Sequence, residues 1–222
     1  MAHKTIVIDL NRCIGCMGCN TACKTVNEVP IGNFWNRVLR VGPYPSYDGA
    51  VWPDVEWYYL PMQCQHCEDA PCVSVCPTQA SYIAEDGTVQ LDPEACIGCQ
   101  SCVPVCPYGV RYLNDEKAVV EKCNMCKDIT DEGGIPQCVS QCVGLAKWYG
   151  DLDEDPTMMS FKGGYDSTLG DTCAPFTEDQ VYTLPDSGNH PSIRYILRGK
   201  AWHDEEDFTL TQGGHGMGLP NY

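Results

Sequence analysis

The sequence predicts an α+β chain of two nested lobes, with short β-hairpins, short helices and an irregular C-terminal arm. Three observations predict it. Sixteen of the 17 cysteines fall into four blocks of four between residues 13 and 142. The segments that separate blocks two, three and four read as tight hairpins. The apolar share is 43% with cysteine counted and roughly 35% without it, which is lean for a fold resting on a packed core. Ligands held by the cysteines must therefore supply part of the folding free energy.

The elements follow in order. Thr5-Ile6-Val7-Ile8 reads as a strand, too short and without the basic lead of a secretory signal. Block one is Cys13, Cys16, Cys19 and Cys23, with one or two helical turns expected over residues 20–26. Residues 24–63 carry Phe34, Trp35, Tyr47, Trp52 and Trp57 among prolines and glycines, and are expected as ordered loops with an aromatic face. Block two is Cys64, Cys67, Cys72 and Cys76, with a helical turn over 73–76. Residues 81–83 and 88–91 flank Glu85-Asp86-Gly87 and predict a hairpin. Block three is Cys96, Cys99, Cys102 and Cys106. Residues 110–113 and 118–121 flank Asn114-Asp115-Glu116 and predict a second hairpin. Block four is Cys123, Cys126, Cys138 and Cys142. Residues 151–222 are rich in Gly, Asp and Pro with little apolar periodicity. They are expected as an extended acidic arm without a core of its own, docking on a partner.

The chemistry lies in the spacing. Block three runs Cys-x2-Cys-x2-Cys-x3-Cys-Pro from Cys96 to Pro107, the bacterial ferredoxin arrangement for [4Fe–4S] clusters. Three cysteines at intervals of three let one tight loop hold three corners of a cubane. The fourth thiolate then serves the neighbouring cluster. Block one has the same spacing. Block two widens one gap to four residues and block four widens one to eleven, and both keep the closing Cys-x3-Cys. Gly15, Gly18 and Gly98 sit beside cysteines, where glycine lets backbone N–H groups approach cluster sulfur. Cys123-x2-Cys126 alone would suit zinc, and a disulfide framework would suit a short secreted chain. Neither explains a third cysteine three residues on, or a fourth followed by proline in two blocks.

The crossed rule predicts four quartets. The first is Cys13, Cys16, Cys19 and Cys142. The second is Cys123, Cys126, Cys138 and Cys23. The third is Cys64, Cys67, Cys72 and Cys106. The fourth is Cys96, Cys99, Cys102 and Cys76. All sixteen bind iron, so the cofactors are four [4Fe–4S] clusters. Blocks two and three form an inner ferredoxin-like lobe over residues 63–106. It is inserted into an outer one made of residues 1–62 and 107–150.

The run from Cys13-Ile14-Gly15-Cys16 to Cys23-Lys24, with Gln63-Cys64-Gln65-His66-Cys67, Cys76-Pro77-Thr78 and Cys106-Pro107-Tyr108-Gly109, resembles a known family. It is similar to the four-cluster iron–sulfur subunits of the dimethyl sulfoxide reductase superfamily. That group includes polysulfide, thiosulfate, tetrathionate and arsenate reductases, pyrogallol transhydroxylase and catechol dehydroxylases. The resemblance covers residues 1–150. It implies a non-catalytic electron-transfer subunit serving a large molybdenum- or tungsten-pterin catalytic subunit, with an oxyanion or a catechol-type substrate. A membrane anchor or another electron carrier would complete the circuit. It implies residence in the cytoplasm, or export of the folded complex on a partner's twin-arginine signal. Asn33-Phe34-Trp35-Asn36-Arg37 resembles a stretch that packs on the catalytic subunit, and local core is the equal alternative. Two other functions remain open: an electron-transfer subunit of a hydrogenase or tungsten aldehyde oxidoreductase, and a zinc-stabilised interaction protein.

Charge narrows the partners. The formal net charge is −16, with −7 on residues 1–149 (17 acidic, 10 basic) and −9 on residues 150–222 (13 acidic, 4 basic). Nucleic acid needs a basic surface, which this chain lacks. No apolar run is long enough to span a membrane. No nucleophile–base constellation, phosphate loop or dinucleotide fingerprint appears, so no catalytic residue is assigned. His66 is read as a hydrogen-bonding residue and not as a ligand. Met17, Met62 and Met125 shield the clusters, and Cys173 is an inert free thiol.

Overall fold

Four small sheets and a few short helices make a mixed α/β chain, described over residues 2–203 in a computed structural model. The first apolar run becomes β1 (Lys4–Asp9), with Ile6, Val7 and Ile8 fully buried. The period of two in a strand sends Ile6 and Ile8 to one face and Val7 to the other. The main core takes Ile6 and Ile8 with Leu60, Met62, Tyr195 and many of the cysteines. A second core takes Val7 with Trp148, Phe161, Leu169 and Ile196.

After block one comes α1 (Gly18–Asn27), whose ten residues exceed the one or two turns expected. The larger difference lies in residues 24–63. They form a long antiparallel ribbon, β2 (Asn36–Pro45) with β3 (Val55–Gln63), where ordered loops were expected. Prolines 43, 45 and 61 hide the strands from a reader of the sequence. A two-stranded ribbon tolerates them because each strand is an edge and leaves half its N–H groups unpaired. The register slips between Val41 and Tyr44, beside Gly42. The ribbon's tip leaves Tyr47, Val51 and Trp52 exposed, while Tyr58 is buried.

Block two leads into α2 (Pro71–Ser74), then the expected hairpin β4 (Ser81–Ile83) with β5 (Val89–Leu91). Block three leads into β6 (Tyr112–Asn114) with β7 (Val119–Glu121). Block four contains α3 (Lys127–Asp131) and α4 (Gln137–Ser140) and ends at β8 (Lys147–Asp151).

Residues 151–203 are not an extended arm. After α5 (Leu169–Thr172) and β9 (Val181–Tyr182), β10 (Arg194–Ile196) pairs in parallel with β1, Val7 opposite Arg194. β8 flanks β1 on the other side, antiparallel, and the order is β8-β1-β10-β9. Leu184, Ile193, Tyr195 and Ile196 are fully buried. This segment lacks periodicity because it crosses the core in pieces of two to four residues, so its acidic composition describes only its outer side. The rest of the expected arm, residues 204–222, lies outside the described residues.

Candidate metal centres

The cysteine loops share one backbone signature. In each block the residue just before the second cysteine has positive φ: Gly15 at 68°, His66 at 46°, Gly98 at 64° and Met125 at 61°. This left-handed residue turns the chain so that two cysteines face the same space. Glycine adopts it freely, whereas His66 and Met125 carry a strain of about 1 kcal/mol or more. The repeat read from cysteine spacing is thus a repeat of conformation. The loops are also tight: a Cβ on Gly98 would lie 2.5 Å from the Ala118 carbonyl oxygen.

The sixteen cysteines do not gather by block. Cys13, Cys16 and Cys19 line one cavity with Cys142, about 370 Å³ of atom-free space partly open to solvent. Cys123, Cys126 and Cys138 line another with Cys23, about 310 Å³. Cys96, Cys99 and Cys102 line a third with Cys76, about 300 Å³. Cys67 lies in the electrostatic field of Cys64, Cys72 and Cys106. In each group three sulfurs come from one block and the fourth from another.

Among the described residues no three His, Cys, Asp or Glu side chains approach closely enough to hold a single metal ion. Four ligands around one zinc at about 2.3 Å would sit within about 4 Å of each other. The cysteines are therefore spread around a space larger than one ion.

The surroundings are built for something anionic. Arg111, Lys122 and Lys147 are only 3%, 3% and 1% exposed. An unpaired buried cation costs several kcal/mol. Yet their side-chain partners are neutral: Lys147 Nζ donates to Gln63 Oε1 at 3.4 Å, Lys122 Nζ to the Val89 and Cys123 carbonyls, and Arg111 Nη1 to Ser81 Oγ at 2.8 Å. Burial by itself depresses the Lys147 amine, but thiolate at Cys138, Cys19 and Cys142 holds it above the ordinary lysine range. Burial lowers Lys122, opposed by Cys64 and Cys123.

Several buried donors also lack a partner. Gln63 Nε2 and Asn36 Nδ2 line the second quartet's cavity, and Arg111 Nη2 is likewise unpaired. Other donors already point at sulfur. The Ala146 N–H donates to Cys142 Sγ at 3.3 Å, the Ser81 N–H to Cys76 Sγ at 3.4 Å, and Asn189 Nδ2 to Cys67 Sγ at 3.1 Å. A [4Fe–4S] cluster with four thiolates carries about −2 of charge and many sulfur acceptors. These residues fit it.

Burial pushes the Cys13, Cys72 and Cys138 thiols up to about 11, and Cys23 and Cys67 to about 12, with neighbouring cysteines adding to the rise. Such thiols keep their protons until a metal displaces them. Cys99, hydrogen-bonded by Ser101, is shifted the other way. Cys16 and Cys99 are exposed, whereas all four cysteines of the second quartet are buried.

His66 is fully buried, and its Nδ1 accepts the Val89 N–H at 3.1 Å. An accepting Nδ1 puts the ring proton on Nε2. Burial, then Lys122, hold the ring well below the usual histidine range, so it is neutral. Cys173 bonds to Asp9 Oδ2 at 3.2 Å, and burial followed by that carboxylate pushes it up to about 11. Met62 and Met125 are 1% exposed. Asn189, Gln63 and Asn36 were missed from the sequence, because nothing in their local spacing marks them as neighbours of a cysteine far along the chain.

Fold, loops and donor set define a ferredoxin-type iron–sulfur protein, and a family profile for the 4Fe-4S dicluster domain matches residues 55–152. Full-length relatives are more specific. The iron–sulfur protein of a dimethyl sulfoxide reductase, from Halobacterium salinarum, is 39% identical over 93% of this chain and 85% of its own length. The thiosulfate reductase electron transfer subunit of Salmonella typhi is 46% identical over 66% of this chain and 74% of its own. A tetrathionate reductase subunit of Salmonella typhimurium is 40% identical over 86% and 71%. The chain belongs to the [4Fe–4S] electron-transfer subunits of the molybdopterin oxidoreductase family, which are not the catalytic subunits. No helix among the described residues is long and apolar enough to cross a membrane.

Proposed function

We propose that this chain is a four-cluster electron relay in which each quartet named above holds one [4Fe–4S] cluster. It carries electrons between an outside donor or acceptor and a molybdenum- or tungsten-pterin catalytic subunit. When bound, each cluster takes up and releases one electron. The chain's residues hold the clusters apart, exclude water from the middle of the row and supply donors to sulfur. The observation that carries this reading is the crossing of blocks at each cavity, with Cys142, Cys23 and Cys76 each joining three cysteines of another block. Crossing favours two nested ferredoxin-like lobes, because each shared Cys-x3-Cys segment ties two neighbouring clusters together. Exposure supports the direction of the row. The first and fourth quartets reach solvent at Cys16 and Cys99, and the second is wholly buried. Contacts with partners then fall at the two ends.

The relatives act, by their names, on dimethyl sulfoxide, thiosulfate and tetrathionate. They favour the oxyanion side of the two substrate classes over a catechol. The exposed ribbon tip, Tyr47, Val51 and Trp52, is a surface suited to the catalytic partner.

The test is metal analysis of anaerobically purified complex. About sixteen iron atoms and as many acid-labile sulfides per chain are expected, four for each quartet. About half that number, or zinc in place of iron, would refute the four-cluster reading.

A further inference from the structure

The three fully buried cations are not scattered. Lys147 lines the cavity of the first quartet, and its amine donates to Gln63, which lines the cavity of the second. Lys122 precedes Cys123 of the second quartet and donates to that residue's carbonyl. It also donates to the Val89 carbonyl, and the Val89 N–H donates to His66, which sits between Cys64 and Cys67 of the third. Arg111 acts on Cys72 and Cys64 of the third quartet. It donates to Ser81, whose N–H in turn donates to Cys76 Sγ of the fourth. The order is quartet one, Lys147, quartet two, Lys122, quartet three, Arg111, quartet four.

We propose that Lys147, Lys122 and Arg111 are positioning charges for electron transfer, one at each junction of the row, each raising the reduction potential of the two clusters it separates. The inference rests on the four-cluster assignment above. Its physics is simple. An electron arriving at a cluster adds negative charge in a region of low dielectric. A cation fixed at the junction stabilises the reduced state on either side. It also screens the repulsion that a reduced cluster exerts on its neighbour. No carboxylate among the described residues pairs with any of the three, so their full charge acts on the clusters.

The test is potentiometric EPR titration of the complex, purified anaerobically, with Lys147→Met, Lys122→Met and Arg111→Met. Each variant is expected to lower two potentials and leave two unchanged. The lowered pairs are clusters one and two, two and three, and three and four in turn. The expected change at fixed potential is tenfold or more in the reduced-to-oxidised ratio, equivalent to about 59 mV. Cluster two moves with Lys147 and with Lys122, and cluster three with Lys122 and with Arg111. That overlap is a signature a merely structural defect would not give.

Gln63→Glu provides a second approach to the first junction. It keeps the lysine and the side-chain volume while cancelling the charge, and is expected to lower the same two potentials as Lys147→Met. Lys147→Arg is expected to restore them. Four intact clusters with unchanged potentials in Gln63→Glu, or an equal shift of all four in any variant, would overturn the proposal. Iron content keeps the two readings distinct. Wild-type complex with fewer than four clusters refutes the relay, whereas unshifted potentials in a four-cluster variant refute only the junction charges.

Discussion

Asn189→Ala tests how the C-terminal segment touches the relay. The Asn189 side chain is buried, and its Nδ2 donates both to Cys67 Sγ at 3.1 Å and to the Tyr108 hydroxyl at 2.8 Å. A hydrogen bond to a charged acceptor contributes about 1.5–3 kcal/mol net. Both oxidation states of a cluster on Cys67 accept it, and the reduced state, richer in charge, accepts it more strongly. A difference of about 0.5–1.4 kcal/mol between the states corresponds to about 20–60 mV for one electron. The potential of the third cluster should fall by that amount, read by EPR titration and assigned against Cys67→Ser. The others should stay in place. Tyr108→Phe is the control. It removes the second acceptor, whose own hydroxyl donates to the Pro185 carbonyl at 3.0 Å, and leaves the N–H···S bond intact. Its potential should stay within a few millivolts of wild type, although stability falls. An unmoved third potential in Asn189→Ala, with all clusters present, would falsify the reasoning. A shift in a different cluster would do so equally.

Three further outcomes are expected. Gly98→Ala places a methyl 2.5 Å from the Ala118 carbonyl oxygen at a φ of 64°; overpacking and left-handed strain together cost about 2–5 kcal/mol, and iron analysis should show loss of the cluster on Cys96, Cys99, Cys102 and Cys76 alone. Ile196→Ala truncates a fully buried residue of β10 and should cost about 2–5 kcal/mol, read as a lowered thermal midpoint, whereas an arm outside the fold would show no change. Asp9→Asn removes the carboxylate that Arg198 reaches at 2.6 Å; Arg198 keeps some access to water, so the loss should fall below the ~3–5 kcal/mol of a fully buried pair, with Cys173 more reactive to a thiol reagent as its acceptor weakens.

Cysteine spacing was legible because ligand geometry is local: three residues between sulfurs fix a loop whatever the rest of the chain does. The hairpins at β4–β5 and β6–β7 were legible for a similar reason, their turns being marked by Asp, Gly and Asn. The β2–β3 ribbon was not, although Tyr58, Leu60 and Met62 alternate inward. Its prolines argue against a strand unless both strands are edges, and edge status is a tertiary fact. β10 was hidden more deeply. Three residues among glycines and prolines carry no period, and only pairing with β1, more than 180 positions earlier in the chain, makes Arg194–Ile196 a strand. The helpers of the cysteines were equally distant: Asn189 stands 122 positions from Cys67.

Charge sorted by depth ties these features together. The chain carries −16 overall, so its acids outnumber its bases by far. Yet the fully buried lysines and arginine lie beside cysteines and pair with no carboxylate, while the buried acids Asp9, Asp151 and Glu121 pair with the more exposed Arg198, Lys4 and Lys117. A metal-free chain in this conformation would bury three uncompensated cations, at several kcal/mol each, and hold thiols that resist ionisation. Binding anionic clusters removes both penalties at once, since thiolates form and the cations gain partners. Cluster insertion and folding should therefore be one cooperative event. The same cations that make the empty fold unstable are those that favour the arriving electron.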